Sequence, residues 1–276
     1  MTDFVHLHLH TEYSLLDGAA KVDDLIDHLV KNNINACAIT DHGNMYASLY
    51  FAEECVKKGI KYIIGCELYA VDDRLVRPAQ GKNEHIVLLA KNKTGYKNIV
   101  KLDSLSYIDG YAGGKPRISY DLIKQHHEGV ICLSACLAGR LPQLLLKGDY
   151  EGAKKWAKEM QDVFGEDFYI ELQDHGIAEQ KQILPDLIKI ARELNIGLVA
   201  TNDVHYIEKE DWEMHEVLLC IQTKSTLAQP KMRFEEHEFY MKSGDEMAEL
   251  FHYVPEAITN TRVIADKIEE PVFDLT

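Results

Sequence analysis

The chain has 276 residues, 46% hydrophobic and 27% charged, a balance suited to a globular protein with a sizeable core. Its formal net charge of −15 with histidine neutral excludes a broad basic surface for gripping nucleic acid, unless bound cations or a partner domain offset the acid. No apolar run nears the roughly 20 residues that a membrane helix needs, the start lacks signal-peptide order, and the six cysteines form no C-x-x-C pair, so a cytoplasmic protein with reduced thiols is expected.

In chain order, seven short apolar runs read as strands: FVHLHLH (4–10), NACAIT (35–40), KYIIGCELYAV (61–71), HIVLLAK (85–91), GVICLSA (129–135), DFYIELQ (167–173) and IGLVATN (196–202). On the first, period two puts His6, His8 and His10 on one face and Val5, Leu7 and Leu9 on the other. Helical spacing recurs between the runs, over 22–33, 48–59 with a Gly59 stop, 98–110, 150–165 and 179–195, where Pro185 should start or kink the helix. Alternating strands and helices without a GxGxxG turn predict a mostly parallel sheet closed into a distorted barrel. After about residue 205 the pattern is helical, over 212–223, 243–254 and 255–270, with FEEHEFYMKS (234–243) between. The chain stops at VFDLT as though more followed.

In such a barrel, chemistry gathers at the C-terminal ends of the strands. There the sequence offers His8, His10 and Asp17 after the first strand, then Asp41 and His42 in TDHG, and Glu67 in GCE. His85 leads its strand instead of following it. Cys136 in LSACL, Glu171 and His175 in IELQDHG, and Asp203 and His205 in TNDVH complete the series. These side chains bind transition metals, and nine or more of them exceed the needs of one ion. Several ions suit phosphoester hydrolysis, because they acidify a bound water and neutralise phosphate oxygens. His28, His126, His127, His215, His237 and His252 fall in helices or polar segments and read as surface or packing histidines.

H-x-H-T, TDHG, GCE, a lone His, S-x-C and N-D-x-H resemble the polymerase and histidinol phosphatase (PHP) superfamily. The stretches HLHTEYSLLDGAAK, GYKNIVKLDSLSY, ICLSACLAG and VATNDVHYIEKEDWEMHEVLLCIQT are similar, within it, to the N-terminal PHP domain of bacterial replicative DNA polymerase III α subunits. The resemblance implies a distorted seven-stranded (β/α)7 barrel over 1–210, and a helical part over 211–276 leading toward an absent polymerase body. It implies up to three divalent ions (Zn, Mn or Fe) on His8, His10, Asp17, His42, Glu67, His85, Cys136, Asp203 and His205. Asp203, His10 and His42 would serve catalysis as metal-site residues. His6 lies outside the family pattern and is expected either to brace the ligands from behind, as Asp41, Glu171 and His175 are, or to be structural. Arg140 and Arg117 are candidate phosphate contacts.

The implied activity is that of a metal-dependent phosphodiesterase, a 3′→5′ proofreading exonuclease on DNA 3′ ends. The implied partners are the remaining polymerase domains and a separate proofreading subunit, with no membrane. Two rival readings stand beside it. One is a free-standing phosphatase like histidinol phosphatase. The other is a silent platform that docks the proofreading subunit.

Overall fold

The computed structural model of the chain describes residues 2–77, 83–234 and 236–273, so Glu235 of the FEEHEFYMKS stretch and the last three residues of VFDLT lie outside the described residues. Seven strands form one sheet: β1 (Ala36–Ile39), β2 (Lys61–Val71), β3 (Glu84–Ala90), β4 (Arg117–Ser119), β5 (Val130–Leu133), β6 (Phe168–Leu172) and β7 (Gly197–Ala200). Their order is β1-β2-β3-β5-β6-β7, and β4 pairs the far end of β2. The helices are α1 (Val22–Lys31), α2 (Ser48–Lys58), α3 (Lys93–Ile108), α4 (Tyr120–Gln125), α5 (Arg140–Leu146), α6 (Tyr150–Phe164), α7 (Ala178–Leu194), α8 (Trp212–Thr223), α9 (Gly244–Leu250) and α10 (Glu256–Lys267). No helix among the described residues is long and apolar enough to cross a membrane.

The helices form where apolar residues recur at helical spacing. Val22, Leu25, Ile26 and Leu29 bury one stripe of α1, and Ala153, Trp156, Ala157, Met160 and Phe164 one stripe of α6. Gly59 ends α2 in the left-handed conformation (φ 69°), as its sequence position predicts. Asn92 caps α3 by accepting from the Gly95 N–H at 3.1 Å, which starts that helix five residues earlier than the apolar spacing alone suggests. Pro185 lies inside α7, not at its start.

The N-terminal run departs from expectation. It is extended, but it bridges only at His6 to Cys37 and Leu9 to Val204 and forms no regular strand. It lies between β1 and the chain after β7. Ala38 and Thr40 donate to the carbonyls of His6 and Leu9 at 2.8 Å each, and His10 donates to Val204 at 2.7 Å. The segment thereby joins the two edges of a curled sheet. Its alternation buries both faces, Val5, Leu7 and Leu9 in the apolar core and His8 and His10 in the barrel's polar interior.

The sheet is also less parallel than strand–helix alternation implies. β3 runs antiparallel to both β2 and β5, while the β1–β2, β2–β4, β5–β6 and β6–β7 pairs are parallel. Strand β4 and helices α4 and α5 are too short to have shown a period in the sequence. The C-terminal helices pack on the same core. Asn260 of α10 donates to the Leu198 carbonyl of β7 at 2.7 Å, and Thr261 accepts the Val5 N–H at 3.0 Å.

Leu9 is fully buried where this closure is made. Leu9→Ala is expected to cost about 2–5 kcal/mol, read as a lower urea midpoint at unchanged slope. A loss below about 1 kcal/mol would show that the N-terminal segment is not part of the cooperative core.

Candidate metal centre

The closure brings all nine family positions to one mouth. Glu67, 1% exposed near the middle of β2, stands at the centre. Its Oε1 lies 3.3 Å from His8 Nε2 and 2.9 Å from His85 Nδ1, and its Oε2 lies 2.6 Å from His42 Nδ1 and 3.7 Å from His10 Nε2. Cys136 Sγ sits 3.7 Å from Glu67 Oε1 and 3.5 Å from His85 Nδ1. Asp203 Oδ1 lies 3.2 Å from His8 Nε2 and 3.1 Å from His10 Nε2. Asp17 reaches His42 Nε2 at 3.0 Å and His205 Nε2 at 3.9 Å.

The topology explains His85. Because β3 is antiparallel to β2, with His85 opposite Tyr69, the start of β3 lies beside the far end of β2. A residue that leads an antiparallel strand therefore arrives where residues that follow parallel strands arrive. The His85 N–H donates to Ala138 O at 3.1 Å, which holds the Cys136 turn alongside. Two non-glycine residues in the left-handed region, Ala135 (φ 66°) and Asp203 (φ 46°), turn the chain at the mouth, a strain typical of functional sites.

Hydrogen bonds from behind decide which ring nitrogen of His8, His10 and His205 faces the mouth. His8 Nδ1 is bound to Glu171 at 2.7 Å, and Glu171 also accepts from Gln173 at 2.9 Å and from Thr201. Ser14 gives its hydroxyl proton to Asp41 at 2.7 Å, so it accepts from His10 Nδ1 at 3.0 Å and leaves His10 Nε2 with a lone pair toward Asp203. His205 Nδ1 donates to the Asp203 carbonyl at 2.7 Å and leaves Nε2 toward Asp17. Such outer partners fix tautomer and orientation in metal sites.

The donor set fits divalent cations. Asp203 Oδ1, Glu67 Oε2, Asp17 Oδ1 and His42 Nδ1 are buried and have no hydrogen-bond partner, although imidazole nitrogens or carboxylate oxygens lie close by. Atoms that approach so closely without aligning as donor and acceptor aim instead at shared points between them. Three overlapping groups each bring their ligand atoms within 4.8 Å of one another: His8, His10 and Asp203; His10, His42 and His205; His42, Glu67 and His85. Imidazole with carboxylate suits Zn, Mn or Fe.

Electrostatics support the same reading. Burial disfavours a charged His42, yet Glu67 and Asp17 outweigh it and hold the imidazole up at about 10. Burial likewise acts against a charged His8, but Asp203, Glu171 and Glu67 hold it well above its ordinary value. Burial, then His42 and His205, push His10 down to about 3. Burial acts against ionisation of Glu67 and Asp203 too. The imidazoles around them prevail and keep both carboxyls ionised far below the usual range. A metal bound here would compete with the protons that these carboxylates favour on His42 and His8.

Several expectations need correction. Arg117 is 1% exposed and spends its guanidinium on the backbone carbonyls of Gly110, Arg74 and Val76, at 3.0 to 3.2 Å, so it anchors the chain around β4 and cannot reach a phosphate. Arg140 is held by Glu84 at 2.6 Å and Asp72 at 2.7 Å and lies over the Tyr120 ring, already neutralised. His6 takes the structural alternative: it turns to the Lys242 carbonyl at 2.9 Å and stays outside the donor groups. His175 bonds Asn202 O at 2.8 Å and stacks on Phe239, bracing the residue before Asp203. Glu171 contacts His8 directly, whereas Asp41 reaches His10 through the Ser14 hydroxyl.

His215, read from the sequence as a packing histidine, is 1% exposed with Nε2 unpartnered and 3.9 Å from Asp17 Oδ1. Burial, then the neighbouring His205, push it down to about 3, so it offers a neutral lone pair at the edge of the cluster. Nothing local in the sequence marks it, because its approach to Asp17 is a contact made across the fold.

We expect the purified chain to bind Mn²⁺ or Zn²⁺ with release of protons. Apparent affinity should rise by up to about tenfold per pH unit for each proton displaced. Titration calorimetry in buffers of different ionisation enthalpy measures it, and Glu67→Gln should abolish the tightest binding. Binding without proton release would contradict the donor assignment.

A family model described as PHP domain matches residues 6–175. DNA polymerase III subunit alpha of Treponema pallidum (strain Nichols) is 47% identical over 270 residues, which cover 96% of this chain and 23% of that protein. The same subunit of Borreliella burgdorferi is 44% identical over 272 residues, covering 97% and 24%. The chain thus spans about a quarter of the length of these relatives. A solved structure from Bifidobacterium adolescentis, assigned as a metal-dependent phosphoesterase, aligns over 73% of this chain and 87% of that one at a TM-score of 0.47 and 15% identity, too remote to carry an argument. With more than half of its 276 residues matched by the family model, the chain belongs to the PHP domain family, and its relatives group it with the PHP domains of DNA polymerase III subunits alpha.

Proposed function

We propose that the nine donors hold up to three divalent cations and that the domain is a phosphodiesterase, trimming DNA 3′ ends as a proofreading 3′→5′ exonuclease within a polymerase α subunit. One observation carries this reading: carboxylate oxygens and imidazole nitrogens, buried and unpartnered, converge at a single mouth. Bound cations would supply an acidified water and neutralise the phosphate oxygens. The protein's own share is to hold the donors open and aimed. Glu171, and Asp41 through Ser14, fix the His8 and His10 rings, while Asp203 and Glu67 each face two or more imidazoles.

The site's shape supports catalysis over a silent platform. A structural metal site closes its shell, whereas a catalytic one keeps a face open. Asp17 and His42 line a cleft of about 220 Å³ that opens to solvent beside the cluster. The DNA substrate is supported by the relatives' identity as DNA polymerase subunits. A chain of net charge −15 would draw most of its grip on DNA from the remaining polymerase domains, its first partners in this reading. Docking of a separate proofreading subunit is an additional role the same domain could serve.

The purified chain, given 5′-labelled single-stranded DNA and Mn²⁺ or Zn²⁺, is expected to shorten it stepwise from the 3′ end. Asp203→Asn should remove that activity. Asp41→Asn should reduce it by about 10–100-fold, because Asp41 acts on the ligands only through Ser14. Phosphate release from histidinol phosphate with intact DNA would favour the free-standing phosphatase. Silence on both substrates with metal bound would favour the platform.

A further inference from the structure

The cleft beside Asp17 and His42 has a feature that the metal site does not require. Its walls carry four tyrosines, Tyr46, Tyr69, Tyr107 and Tyr111. Tyr69 is buried and stacks on the His42 ring, with centroids 6.0 Å apart and planes at 23°. The others stand at the rim, 60%, 40% and 52% exposed for Tyr46, Tyr107 and Tyr111. Tyr107 and Tyr111 lie nearly parallel, at 18° with centroids 6.1 Å apart. Rings grouped in this way, half in water, offer faces on which a flat π-system can stack.

Among the described residues that line the cleft, Lys115 is the one lysine or arginine. Its Nζ donates to the Tyr69 hydroxyl at 2.7 Å, and it feels the charges of Asp17 and Glu67. The sequence builds this arrangement locally. In YAGGK, Ala112 and Lys115 pair across a two-residue turn with Gly113 (φ 63°) and Gly114 (φ 79°), both in the left-handed region that the tightest hairpins demand. The hairpin presents Tyr111 and Lys115 from its two arms. Gly43 of TDHG lets it close over the site. A Cβ there would meet Pro116 at 2.9 Å and the Tyr69 ring at 3.2 Å.

We propose that this cleft seats the terminal nucleotide of a single DNA strand, its base stacking among Tyr46, Tyr107 and Tyr111 and its phosphate meeting Lys115 beside Asp17 and His42. The inference rests on the phosphodiesterase reading of the metal centre and deepens it, because it names an unpaired, single-stranded end as the substrate. Stacking accepts any base, since every base has a π-face. The volume is below the roughly 300–1,000 Å³ of whole small-molecule sites and suits one splayed nucleotide, not a duplex. A frayed primer end would enter it; a paired end would not.

The test is a binding measurement that needs no turnover. Fluorescence anisotropy in EDTA would compare a 5′-fluorescein oligodeoxythymidylate with the same strand ending in an abasic residue. The stripped acids repel both strands alike, so their difference isolates the base. The wild-type chain is expected to prefer the intact end by about 5- to 150-fold. Tyr107→Ala and Tyr111→Ala, both at exposed positions, should erase most of that preference. Lys115→Met should weaken both strands equally and lower the salt slope by about one. Thermal melts establish that each variant is folded. Absence of the preference in the wild type, or its survival in both tyrosine variants, overturns the proposal. The nuclease assay above separates the two readings. Base-selective binding without cleavage at any metal defeats the phosphodiesterase reading alone, and cleavage without base-selective binding defeats the nucleotide seat alone.

Discussion

The mouth of this barrel is organised around one buried charge. Glu67 is a carboxylate with 1% exposure, and removing such a group from water costs several kcal/mol unless it is compensated. The compensation comes from four imidazoles, of His8, His10, His42 and His85, within 3.7 Å of its two oxygens. Without cations, His42 and His8 take up protons to balance it. Charge balance and metal affinity are therefore the same physical demand: protons on imidazole answer it, and bound cations would answer it in their place. Asp203 and Asp17 repeat the arrangement at the flanks.

The rest of the fold can be understood as what is needed to assemble these groups. No single element could supply them, since a strand offers one face and a helix one stripe. The N-terminal run contributes two imidazoles only because it is threaded between β1 and the residues after β7. Val5 and His10 are tied there by Thr261 and Val204 from the far end of the sequence. The antiparallel turn of β3 contributes a third imidazole from a strand start. Such long-range closure is costly in chain entropy, and the fully buried Val5, Leu7 and Leu9 on the opposite face provide the apolar burial that offsets it.

Polarity is graded across the mouth. Its deep side, with Glu171, Gln173 and Thr201, is sealed and hydrogen-bonded, which immobilises the ligands. Its outer side, with Asp17, His42 and the tyrosines, opens toward water. A rigid back and an accessible front are what preorganised catalysis requires, because reorganisation during reaction weakens electrostatic stabilisation.

Much of the site was legible in the sequence because its donors sit in short motifs on or beside the apolar runs. H-x-H, TDHG, GCE and N-D-x-H each set a donor by local backbone alone. The apolar runs likewise determined an α/β barrel and the positions of α1, α2, α6 and α7, since burial stripes follow from local periodicity. Tertiary structure decided the remainder. His215 and the Tyr107–Tyr111 pair carry no local mark that separates them from packing residues. Arg117 and Arg140 looked free for phosphate until partners distant in sequence, such as Gly110, Asp72 and Glu84, claimed them. The direction of β3 was equally hidden, because period two is the same for parallel and antiparallel strands. Local sequence determines which side chains can bind a cation. Which of them meet, and which are already neutralised, depends on contacts made across the whole chain.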